Sequence, residues 1–154
     1  MRKVFLLAVL VAACAKKEPA PDTTTPAPPP PPPPPPALTA ADITGTWNGT
    51  SKREGGDTTT TAFTVKSTSD STATLTFPKS KVTVAVKTKL DADSLISTSG
   101  AYNDPSLPKG TPKVTLRAVG RMKDGKLVGT TNIMLASKPD SVIGKSTWEA
   151  TKAP

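Results

Sequence analysis

The chain has 154 residues, of which 35% are hydrophobic and only 4% aromatic, and twenty Lys and Arg stand against twelve Asp and Glu for a formal net charge of +8. Histidine is absent and there is one cysteine. That composition excludes His/Cys metal sites, Ser-His-Asp triads, Cys-His pairs and an intramolecular disulfide, and after its first segments the length leaves room for one small domain.

Arg2 and Lys3 give a basic start that Val4 to Val11 continue as an apolar run, the layout of a secretory signal. The run is far short of the roughly 20 apolar residues that a membrane-crossing helix needs, so residues 1–13 read as a leader that targets and is then removed. Its end, Val11-Ala12-Ala13-Cys14, resembles the lipobox of bacterial lipoproteins. The resemblance implies a diacylglycerol joined through a thioether to Cys14, cleavage between Ala13 and Cys14, and acylation of the new amino terminus by a chain such as palmitate. Two or three acyl chains, at ~0.8 kcal/mol per buried methylene, anchor far more firmly than one. Ala15 follows the cysteine, and the lack of Asp there points, by the same resemblance, to the outer membrane. The expected location is the bacterial cell envelope, with the membrane as partner through the lipid on Cys14.

Residues 14–37 turn abruptly to Lys, Glu, Thr, Ala and Pro and close on nine consecutive prolines, Pro28 to Pro36. Proline fixes φ and offers no backbone donor, so such a run adopts polyproline II and serves as a semi-rigid linker at ~3.1 Å per residue. Lys16 and Lys17 stand next to the lipidated residue, where each cation contributes ~1 kcal/mol near an anionic membrane surface.

In residues 38–154 the hydrophobic period is two. Val82, Val84 and Val86 alternate with Thr83, Ala85 and Lys87; Val114, Leu116, Ala118 and Met122 alternate with Thr115, Arg117, Arg121 and Lys123. Both runs read as strands with one buried face. Phe63 and Val65, then Ala73, Leu75 and Phe77, repeat the pattern, and the last segment sets Val142, Gly144, Trp148 and Ala150 on one face. Asp124-Gly125 is a two-residue hairpin signal, and Ser69-Asp70-Ser71, Pro78-Lys79-Ser80, Asp91-Ala92-Asp93 and Lys138-Pro139-Asp140 mark further turns. The one long connection runs from Gly100 to Pro112. Eight strands are predicted, at 43–53, 58–68, 72–78, 81–90, 94–99, 113–123, 126–136 and 142–151. Consecutive hairpins of this kind make an all-β, single, small, eight-stranded antiparallel up-and-down barrel, which removes exposed sheet edges.

Gly45-Thr46-Trp47 at the opening of the first strand, with Gly49 just after, resembles the Gly-x-Trp motif of lipocalins and of small lipocalin-like bacterial lipoproteins. The resemblance implies a tryptophan packed across the closed end of the barrel, with Trp148 on the last strand near Trp47. The chain departs from lipocalins in length and in ending three residues beyond the last predicted strand.

No set of convergent catalytic groups is visible. Asp91 and Asp93 fit a turn better than a cation site, no Ser-x-x-Lys sits in a catalytic frame, and the chain reads as a non-enzyme without metal or other cofactor. Residues 38–154 hold sixteen Lys and Arg against ten Asp and Glu, a balance suited to solubility or to anionic envelope surfaces. One tyrosine and lysines scattered singly argue against nucleic acid. Trp47, Val82, Val84, Val86, Val114, Leu116, Leu127, Ile133, Leu135 and Trp148 are the candidate interior residues, either lining a cavity or filling the barrel, since eight-stranded barrels do both. The expected function is a lipid-anchored envelope lipoprotein whose barrel binds a small apolar or amphipathic ligand. The alternative is a structural lipoprotein contacting another envelope protein or an anionic polymer through its surface.

Overall fold

The computed structural model describes residues 29–32, 36–55 and 59–154. The expected 1–13 leader, the cleavage pair Ala13 and Cys14, and most of the 14–37 linker lie outside them. One compact unit spans Pro34–Pro154. It opens with a four-residue helix α1 (Ala40–Ile43) and continues through β1 (Gly45–Arg53), β2 (Thr60–Ser67), β3 (Thr72–Phe77), β4 (Val82–Asp91), β5 (Ser94–Ser99), β6 (Val114–Lys123), β7 (Lys126–Leu135) and β8 (Lys138–Lys152). Every strand pairs antiparallel with the next, and β8 pairs back with β1, closing the barrel.

Strict alternation drives this closure. Ala73, Leu75 and Phe77 on β3, and Val84 and Val86 on β4, are buried, whereas Thr72, Thr74, Thr83, Ala85 and Lys87 between them face water. Aligned across the ladder, Trp47, Val65, Leu75 and Val84 form one inward row. The outward positions carry Asn48, Thr50, Lys52, Lys66 and Lys89, the polar-out pattern of a barrel in water and the reverse of a lipid-spanning one. Among the described residues, no helix is long and apolar enough to cross a membrane.

One end, the floor, is closed by α1. Both the amide and the hydroxyl of Thr39 donate to Asp42 Oδ2, at 2.8 and 2.6 Å, which orders the helix start. These two bonds, the hydroxyl's first, hold the Asp42 carboxyl below its ordinary pKa, aided by the charge of Lys152. Ile43 is only 2% exposed, and Trp47 Nε1 donates to its carbonyl at 2.9 Å. Lys152 spans the outside of this plug, with Nζ 3.4 Å from the Ala41 carbonyl and 5.7 Å from the Trp47 ring centroid. Gly45 turns the chain from α1 into β1 at φ 118°, where a Cβ would also sit 3.1 Å from Lys152 Cε. The glycine of Gly45-Thr46-Trp47 is therefore fixed by backbone conformation.

Two sequence expectations need correction. The last strand starts at Lys138 and not at 142, and the turn before it is the Ala136-Ser137 pair. The β7–β8 register shifts between Ile133 and Leu135, so Met134 pairs with Val142 and Leu135 with Lys138, leaving Pro139 to Ser141 in a bulge that tolerates proline. Ile143 is also skipped, between the Ile133–Gly144 and Met134–Val142 pairs, and this one-residue bulge flips the side-chain parity. Val142, predicted to face inward, is 46% exposed, and Ile143 packs against the core in its place. Asp124-Gly125 forms the expected tight hairpin, with φ 51° and 76°.

Candidate functional site

At the other end, the mouth, β1, β3, β5 and β7 end and β2, β4, β6 and β8 begin. Between floor and mouth the barrel is hollow. The cavity measures about 570 Å³ and runs from Ile43 and Trp47 at the floor to Arg53, Lys79 and Pro105 at the mouth. Its size lies within the range of pockets that hold small organic molecules.

The hollow persists because the largest inward side chains lie along the wall. The Trp148 indole stretches across β7 and β6, so that a Cβ on Gly129 would be 2.6 Å from its Cζ2 and one on Gly120 would be 2.5 Å from its Cη2. Gly129 is the direct ladder partner of both Trp148 and Gly120. The Phe63 ring in the same way lies over its partner Gly49, where a Cβ would be 2.4 Å from Cζ. Phe63 and Trp148 meet edge to face at 6.3 Å and 80°, a favoured aromatic geometry. With no side chain on those glycines, the rings need not stand in the lumen. The Trp148 Nε1 is buried without a hydrogen-bond partner among the described residues, which costs about 1–3 kcal/mol in general.

Of the ten candidate interior residues, Trp47, Val86, Leu116, Leu127, Ile133 and Trp148 border the cavity. Val82, Val84, Val114 and Leu135 do not; they belong to or pack against the hydrophobic core around it. Phe77 and Tyr102 join that core as a stacked pair at 6.2 Å and 15°. Tyr102 also bridges to Val114 and brings the long 100–113 connection back onto the sheet. Its hydroxyl donates to Asp104 Oδ2 at 3.0 Å, and Ser106 donates to Oδ1 from both its amide and its hydroxyl. Burial, reinforced by the Asp104 charge, pushes the Tyr102 pKa up, so the phenol stays protonated and donates. Closure brings β1 beside β8, but the register sets Trp148 opposite Ser51 and Trp47 opposite Lys152. Trp148 thus lies four ladder positions from Trp47, toward the mouth.

The lumen also holds polar groups. Ser97, Thr131 and Ser146 line it, and their hydroxyls make no hydrogen bond to another described residue. Arg53, one step toward the mouth, has the inward parity of Trp47, Gly49 and Ser51, and borders the cavity. Counting by twos from Trp47 along β1 is the signal that identifies it. Among the described residues no group of three metal-ligating side chains converges. Comparison with protein-family models, curated proteins and solved structures gives no match for this chain, so its functional reading rests on the cavity itself.

Proposed function

We propose that the protein is a lipid-anchored lipoprotein of the bacterial cell envelope whose barrel, lipocalin-like in architecture, binds a small apolar or amphipathic ligand without catalysis. The observation that carries the binding half is the cavity of about 570 Å³, floored by Trp47 and walled mainly by Phe63, Leu75, Leu116, Leu127 and Ile133. Apolar walls release ordered solvent when a ligand's apolar surface replaces it, at about 25 cal/mol per Å², while the few hydroxyls fix orientation. The hollow interior favours this reading over a solid barrel acting only through its surface. The anchoring half rests on Val11-Ala12-Ala13-Cys14 and the basic, apolar start ahead of it.

Each half has its own test. Mass spectrometry of the protein made in a bacterial host should find residues 1–13 removed and a diacylglycerol on Cys14; an unprocessed chain recovered from cytosol would overturn the anchor. For binding, the full chain should raise the fluorescence of phenylnaphthylamine, a neutral apolar probe, with saturation at one site. Ala118→Phe, which grows a ring into the cavity from β6, should weaken that response at least about tenfold, the loss of roughly 1.4 kcal/mol, with the far-UV spectrum unchanged. No saturable response from the wild type would sink the binding reading.

A further inference from the structure

Arg53 is an unusual residue to find pointing into an apolar barrel. It is half-buried, it lies at the end of the inward row of β1, and its guanidinium rests over Gly144 of the neighbouring β8. A Cβ on Gly144 would sit 3.0 Å from Arg53 Nη2 and 3.5 Å from Cζ and Nε. This is the same device that seats Phe63 on Gly49 and Trp148 on Gly129, applied here to a cation. Yet Arg53 forms no ion pair or hydrogen bond with another described residue. Arginine drawn away from water is ordinarily paired. Lys79 borders the same mouth, and it too has no ion pair among the described residues. Among the described residues the only carboxylate bordering the cavity is Asp104, and both its oxygens are already engaged, by Tyr102 and Ser106.

We propose that Arg53 anchors the anionic head group of a single-chain amphiphile whose apolar tail descends past Trp148 and Phe63 toward Trp47. The inference rests on the binding reading above and adds the ligand's class: one apolar chain ending in a carboxylate or another planar or tetrahedral oxyanion. The guanidinium fork matches such a group with two parallel hydrogen bonds. Gly144 holds the fork against the wall, which leaves the passage beside it open to the tail. The volume sets the tail's scale, since at about 30 Å³ for each water-sized group the space admits roughly nineteen such groups if completely filled. That suits a single medium-length chain and is too small for a two-chain lipid. Lys79, exposed at the rim, supplies attraction at longer range.

The test displaces phenylnaphthylamine from the full chain, carrying Cys14→Ser so that no acyl group is attached and free of detergent, with three amphiphiles of equal tail: decanoate, decanol and decyltrimethylammonium. Decanoate should compete roughly tenfold better than decanol, as charge-assisted bonds imply, and decyltrimethylammonium worst. Arg53→Gln should erase the decanoate advantage and leave probe and decanol affinities within about twofold, while Arg53→Lys should keep part of it. If the variants do not fold, the wild type still decides, because the decanoate advantage should shrink as salt rises. Equal competition by decanoate and decanol, insensitive to Arg53 and to salt, would overturn the anchor but leave the cavity reading standing. Preference for decyltrimethylammonium would assign the rim to Asp104 and overturn it too. A probe that never binds fails the parent reading instead.

Discussion

Trp47→Ala should destabilise the barrel by about 3–5 kcal/mol, the range for truncating a large buried aromatic. The residue is 3% exposed, heads the inward row that passes through Val65, Leu75 and Val84, and donates from Nε1 to the carbonyl that ends α1. Removal therefore opens the floor and breaks the bond to α1. Urea unfolding followed by far-UV circular dichroism measures the loss. Trp47→Phe separates the causes: it retains most of the volume and forfeits the hydrogen bond, and should cost about 1–2 kcal/mol. A loss below about 1 kcal/mol for the alanine variant would show that the floor does not depend on this ring.

Gly129→Ala should be the more severe of two matched wall substitutions. Its Cβ would fall 2.2 Å from the Val119 carbonyl oxygen, 2.6 Å from Trp148 Cζ2 and 2.8 Å from Gly120 Cα, so two of the three obstacles are backbone. In Gly120→Ala the close obstacles are Trp148 Cη2 and Cζ2, at 2.5 and 2.7 Å, with the Val128 carbonyl at 3.3 Å. Overpacking costs about 1–3 kcal/mol in general; Gly129→Ala should reach or pass the upper end and Gly120→Ala should fall in the middle. The second substitution Trp148→Leu distinguishes the two mechanisms. It should rescue most of the Gly120→Ala loss, because the obstructing ring is gone, and little of the Gly129→Ala loss. A double-mutant cycle in which both losses are rescued equally would refute the claim that backbone approach decides at Gly129.

These glycines also mark where sequence reasoning stops. The strands were legible because each buries one face, and burial writes a period of two into Val82 to Val86, Ala73 to Phe77 and Val114 to Ala118; the starts of seven strands fall within two residues of their predicted positions. The helix Ala40–Ile43 was not legible, since four residues cannot display a helical period. Val142 was misplaced because a bulge is set by how two strands share their bonds, which period counting along one strand cannot see. Whether the barrel was hollow depended on where Trp148 and Phe63 lie, and only the facing glycines of neighbouring strands decide that. Arg53 was within reach of parity counting from Trp47, but its charge made it look like another solvent residue.

The long final strand gives the whole sheet a single clasp. Through β7 each strand is joined to the one made just before it, so these pairings are local and quickly found. The fifteen residues of β8 instead carry two jobs, extending the ladder from β7 and reaching back to β1 across nearly the full unit. Until they arrive, a nascent chain presents two bare flanks, on β1 and on β7, each able to adopt a foreign strand. Premature termination within β8 should therefore yield sticky, self-associating fragments rather than a slightly weakened monomer.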